Sequence, residues 1–97
     1  MSVGQLSGKK WNYEGEIRDG ACNGQGKMTF HTNGNVIEGT FVNNKCLGFG
    51  KCVFPNGDKY IGEIANNRMH GKGVYYFANG DRFEGHYRDG RQLHGTF

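Results

Sequence analysis

Phosphate-cradling loops are the first chemistry this sequence suggests, because G-x-G pairs recur at Gly24 and Gly26, Gly48 and Gly50, and Gly71 and Gly73. None completes G-x-G-x-x-G and none opens a helical pattern, so a dinucleotide site fails on context. His31, His70, His86 and His94 are of a metal-ligating type, but no pair has ligand spacing with another plausible donor. Cys22, Cys46 and Cys52 are odd in number and contain no C-x-x-C, the usage of reduced thiols in a cytosolic compartment. Glu14, Glu38 and Glu84 recur at one position of a repeating pattern. Catalytic carboxylates need singular surroundings, so a recurring acid is structural. The reading is that of a non-enzyme with no catalytic residue, metal or cofactor.

The recurrence organises the whole chain. Ile37 to Lys59 and Tyr60 to Arg82 are two copies of one unit. Gly39, Asn43, Asn44, Gly48, Gly50, Phe54, Asn56, Gly57 and Asp58 return as Gly62, Asn66, Asn67, Gly71, Gly73, Phe77, Asn79, Gly80 and Asp81. Such self-similarity decides a fold before any local signal. Upstream, 13–36 repeats Gly15, Gly24, Gly26, Phe30, Asn33 and Gly34, with one extra residue between Phe30 and Asn33. Downstream, 83–97 restarts with Gly85; Asp89 to His94 is one residue too long, and Phe97 stands where a second glycine belongs. A repeat domain over 11–97 thus holds units 13–36, 37–59, 60–82 and a partial 83–97. The polar lead-in 1–10 is expected to fray. It has no apolar core of a secretory signal, and no stretch reaches membrane-spanning length.

Within the unit, side chains alternate with period two, which predicts strands. Pro55-Asn56-Gly57 and Ala78-Asn79-Gly80 fit three-residue hairpin loops ending on a left-handed glycine. Asn43 to Cys46 and Asn66 to Met69 fit four-residue loops, which sets Cys22 and Cys46 at hairpin tips and Cys52 in a strand. Those lengths put Gly50, Cys52, Phe54, Tyr60, Gly62, Ile64, Gly71, Gly73, Tyr75 and Phe77 on one face, rings of one strand over glycines of the next. Gly15, Gly24, Gly26, Gly39, Gly48, Gly50, Gly62, Gly71, Gly73 and Gly85 are therefore structural. Val36, Val42, Val53, Ile61, Val74 and Tyr76 share the other face with charges. The expected fold is all-β: an elongated, single-layer antiparallel meander of stacked hairpins, seven strands with an eighth at Leu93 to Phe97.

Y-x-G followed by G-x-G nine residues on, then an aromatic and N-G-D-x-Y-x-G, resembles the MORN (membrane occupation and recognition nexus) repeat. The resemblance covers Tyr13 to about Gly95, with Ile37 in place of the usual tyrosine. It implies hairpins stacked into a twisted, grooved sheet and a non-catalytic role in holding proteins or membranes together. Such repeats occur in junctophilins, plant phosphatidylinositol phosphate kinases, alsin and ciliary radial spoke heads, which implies a small adaptor or scaffold subunit in an intracellular, cytoskeletal or ciliary assembly.

Two surfaces are candidates for that role. Trp11, Tyr13, Phe30, Phe41, Phe54, Tyr60, Tyr75, Phe77, Phe83 and Tyr87 line the aromatic face, which lacks a second layer and suits an extended or helical partner segment. Lys45, Arg68 and Arg91 share the ninth position of successive units and line one edge, spaced by roughly 10 Å for two strands per repeat. That row suits acidic lipid headgroups, the alternative function, although a net charge of +3 is slight. Asp58 and Asp81 mark the opposite edge. Nucleic acid is not expected, because acids interrupt the basic groups. The open last strand also suits a homodimer or an added partner strand.

Overall fold

The computed structural model of the chain describes residues 2–96, with side chains described for residues 2–93. The strands are β1 (Ser2–Ser7), β2 (Trp11–Arg18), β3 (Ala21–Phe30), β4 (Val36–Val42), β5 (Lys45–Val53), β6 (Lys59–Ala65), β7 (Arg68–Tyr76), β8 (Arg82–Arg88) and β9 (Arg91–Thr96). They pair in sequence order, antiparallel throughout, as one open sheet measuring 41 × 22 × 18 Å. The all-β meander has the expected architecture with more strands than the spacing predicts.

The additional strand is β1. Gly4 pairs with Gly15 and Leu6 with Tyr13, so the lead-in does not fray but forms the second half of a hairpin. Its Gly4 and Leu6 occupy the places that Gly26 and Met28 hold in the next hairpin. The signal was only two residues long and lay among polar neighbours. At the other end, β9 begins at Arg91 rather than Leu93, and Phe97 lies outside the described residues.

One row of glycines crosses the sheet. Gly4, Gly15, Gly26, Gly39, Gly50, Gly62, Gly73, Gly85 and Gly95 pair in turn, one from each strand. Side chains on either side of this row fold over it. The buried set is Tyr13, Cys22, Met28, Ile37, Phe41, Cys46, Cys52, Tyr60, Ile64, Phe83 and Tyr87, which form one core cluster on the aromatic and glycine face. The outer face is half wet, with Val42 and Ile61 exposed and Lys59 Nζ set 5.5 Å from the centre of the Tyr76 ring.

One loop type differs from expectation. Val42 pairs with Lys45 and Ala65 with Arg68, so these turns contain two residues, not four. Asn43 and Asn44 have φ of 46° and 72°, and Asn66 and Asn67 have 52° and 65°, the two left-handed residues of a type I′ turn. Cys22 and Cys46 are consequently strand residues buried in the core rather than tip residues. The slack reappears as a bulge in which Leu47, Gly48 and Phe49 oppose Thr40 alone. An offset of two residues leaves every side chain on its own face. Gly24, Gly48 and Gly71 lie in these bulges at φ of 107°, 103° and 92°, which is why the first residue of each G-x-G is glycine. In the last hairpin the offset is a single residue, so Gly95, not Phe97, takes the second-glycine place opposite Gly85.

The three-residue loops match the expected form. Phe54 N–H donates to the Asp58 carbonyl and Gly57 N–H to that of Phe54, with Gly57 left-handed at 95°. Phe77 to Asp81 repeats the arrangement.

Candidate functional site

Two tyrosines build the framework of the core face. The Tyr60 hydroxyl donates to the Glu63 carbonyl at 2.7 Å and lies 3.4 Å from that of Lys72. Tyr13 does the same with Glu16 at 2.8 Å and Gln25 at 3.3 Å. Each carboxylate beside these carbonyls accepts from the bulge: Glu63 from Lys72 N–H at 3.0 Å and Glu16 from Gln25 N–H at 2.6 Å. The rings meet the next unit edge-on, Tyr13 with Phe41 and Tyr60 with Tyr87, both at 5.1 Å. Between them stand Ile37 of the second unit and Ile64 of the third, so the ring stripe is broken in its middle.

Burial divides the predicted groove residues. Tyr13, Phe41, Tyr60, Phe83 and Tyr87 are the core itself and present almost no surface. Trp11, Phe30, Phe54, Tyr75 and Phe77 pack against that core and stay partly accessible. Phe54 stacks on Tyr75 at 5.6 Å, and Tyr75 leans on Phe77 at 4.9 Å. Asp58 anchors this second group, accepting from Tyr75 Oη and Ala78 N–H, both at 2.8 Å. The Ala78 amide and then the Tyr75 hydroxyl hold the Asp58 carboxyl below its usual range. Burial and that same aspartate push Tyr75 up to about 12.

Two of the accessible rings, Phe30 and Phe54, line a trough of about 520 Å³ on the core face. Buried Ile37 and Cys52 make its floor, with Phe54 beside them. Phe30, Asn33 and Asn35 form one rim; Asn66, Asn67, Arg68, Met69, Asp89 and Gly90 form the other. The second rim is stapled in place by its turns: Asn67 Oδ1 accepts from Cys46 N–H at 2.6 Å, and Gly90 N–H donates to the Met69 carbonyl at 2.9 Å.

The basic row begins β5, β7 and β9, with Lys45, Arg68 and Arg91 all exposed. Arg68 belongs to the trough as well, so the aromatic face and the basic edge are one continuous surface there. Beyond Arg68, a corner of about 470 Å³ is lined by Arg68, Arg88, Asp89, Arg91 and Leu93. A separate groove of about 510 Å³ on the outer face holds Phe49, Ile61 and Val74, with Phe49 70% exposed. Sequence reasoning missed Phe49, although it stands between the glycines of a G-x-G where the neighbouring units have Gln25 and Lys72.

The family model described as MORN repeat matches residues 13–35, 38–59 and 60–82. The chain belongs to the MORN repeat family. No curated protein matches it. The MORN repeat is a non-catalytic module generally associated with protein–protein or membrane interaction, found in membrane-associated and cytoskeletal proteins. Among the described residues, no helix is long and apolar enough to cross a membrane.

The MORN glycines explain the chemistry of the face. A β-carbon on Gly26 or Gly73 would run into the Tyr13 or Tyr60 ring. One on Gly24 or Gly71 would run into the Glu16 or Glu63 carboxylate. In the second MORN unit Thr40 replaces that acid, and Gly48 has open space around it. Burial pushes the Cys46 thiol up to about 11 and the Cys52 thiol up to about 12, and raises Cys22, which favours the protonated thiol at all three sites. Among the described residues, no three or more His, Cys, Asp and Glu side chains come together as a metal site.

Proposed function

We propose that this chain is a non-enzymatic protein-interaction module, a small adaptor or scaffold subunit of a larger intracellular assembly of cytoskeletal or ciliary type. Its partner segment lies along the aromatic and glycine face. The observation that carries this reading is the trough: partly accessible Phe54 lies beside buried Ile37 and Cys52 at its floor, between two mostly polar rims. Apolar floors with a few convergent polar groups are where segments dock. A fold stiffened by nine paired strands offers that surface preformed, which lowers the entropy lost on binding.

The test is site-specific photocrosslinking in cell extract, with p-benzoylphenylalanine replacing Phe30 on the trough rim or Phe49 on the outer face. Discrete adducts from position 30 and none from position 49 are expected. Adducts from 49 alone would move the interface to the outer groove and overturn the proposal, as would an absence of adducts from 30.

The exposed row of Lys45, Arg68 and Arg91 supports a second reading, attachment to acidic lipid surfaces. Flotation with phosphoinositide vesicles tests it; binding no stronger than to neutral vesicles would sink it.

A further inference from the structure

We infer that the trough's occupant is an acidic protein segment, its apolar side chains seated over Ile37 and Phe54 and its carboxylates turned to the corner of Arg68, Arg88 and Arg91. The inference rests on the trough reading above and adds the partner's chemistry.

The corner departs from the repeat. Arg88 pairs directly with Arg91 across the Asp89-Gly90 turn. The equivalent pairs at the other tips are Arg18 with Ala21, Val42 with Lys45, and Ala65 with Arg68, none with two bases. Like charges directly opposite on a sheet repel. A repeating charge serves the scaffold, whereas a doubled one at a single tip answers to something outside it.

The corner is also uncompensated. The ion pair among the described residues is Arg82 with Glu84 at 3.4 Å; Asp89 Oδ1 lies 4.0 Å from His70 Nδ1, and neither contact involves Arg68, Arg88 or Arg91. Among the described residues, Asp89 is the single carboxylate lining the corner, so three guanidinium groups leave it positive. Guanidinium forks match carboxylates in a bidentate geometry.

Arg68 and Asp89 line both the trough and the corner, which makes them one path. An occupant that follows it passes from apolar floor to positive charge within a few residues.

The test is selection of a random twelve-residue display library on the full chain. The most enriched peptide is then labelled with fluorescein, and its affinity is read by anisotropy. Enrichment of Asp and Glu beside aliphatic or aromatic residues is expected. Affinity should fall roughly tenfold in Arg88→Gln/Arg91→Gln, fall with added salt, and be largely kept in Arg88→Lys/Arg91→Lys. Asn35→Trp, which fills the trough, should abolish binding, with circular dichroism showing each variant folded. Peptides blocked by Asn35→Trp but poor in acids, or indifferent to the arginine variants, would overturn the acidic partner and leave the trough reading standing. Peptides indifferent to Asn35→Trp, or no enrichment at all, would overturn both. Arginine-dependent binding to phosphoinositide vesicles, without any acidic peptide, would assign the corner to a membrane and overturn the inference.

Discussion

The Tyr60 ring fills the space that a β-carbon on Gly73 of the facing strand would need, its Oη, Cε1 and Cζ being the nearest atoms. Tyr13 stands in the same relation to Gly26. The tyrosines and the glycines of the repeat are thus halves of one contact. Gly73→Ala should therefore destabilise the fold by about 1–3 kcal/mol, the usual cost of overpacking. Gly4→Ala, whose added methyl would meet Ile17 Cδ1 at an ordinary 3.4 Å, should change stability by less than about 0.5 kcal/mol. Urea unfolding of the two variants checks both; equal effects would break the ring-on-glycine account.

The Tyr60 hydroxyl has its own role. Tyr60→Phe keeps the ring but leaves the Glu63 and Lys72 carbonyls short of a donor, which should cost about 1–2 kcal/mol. Tyr75→Phe should cost less, because its acceptor Asp58 is only half-buried and keeps the Ala78 amide. Thermal unfolding ranks the pair.

Ile37 should not be a simple gap awaiting its tyrosine. A β-carbon on Gly50 would meet Ile64 Cδ1 at 2.9 Å, so Ile64 already leans into the space a ring would take. Ile37→Tyr alone is expected to destabilise by about 1–3 kcal/mol. Adding Ile64→Phe, which recreates the Tyr13 and Phe41 pair, should recover about 1 kcal/mol or more. A double-mutant cycle with no coupling would contradict this.

Alkali should unfold the protein. Cys46, Cys52 and Tyr75 hold their protons up to about 11, 12 and 12, against ordinary values near 8.5 for a thiol and 10 for a phenol. The folded chain then binds more protons than the unfolded one above about pH 8.5, so stability is full below that value and is lost as pH rises through 11 to 12. Asp58 works in the opposite sense at the acid end: its lowered value adds stability that is lost below about pH 4. Urea midpoints from pH 3 to 11 check the profile. At pH 8, a thiol reagent should modify all three cysteines in urea and almost none in the native protein.

Much of the fold was legible because its determinants are local and repeated. The N-G and N-N turns, the period-two alternation and the G-x-G spacing each act within a hairpin, and the family resemblance rests on those residues. Short-range reading failed where one hairpin carried too little signal. Gly4 and Leu6 marked β1 without turns around them. Asn43 to Cys46 looked like a four-residue loop because a two-residue turn followed by a bulge has the same length in sequence.

What the sequence by itself determined was which residues share a face, since strand parity survives a bulge of two. How deep each lies was decided by the tertiary structure. Tyr60 and Phe54 read as equivalent groove rings, yet one is sealed in the core and the other borders the trough. The meeting of Phe30 and Asn33 with Arg68 and Asp89, far apart along the chain, was likewise decided there. Twist and coiling accumulate strand by strand, so the distance between opposite edges belongs to the sheet as a whole and to no single repeat.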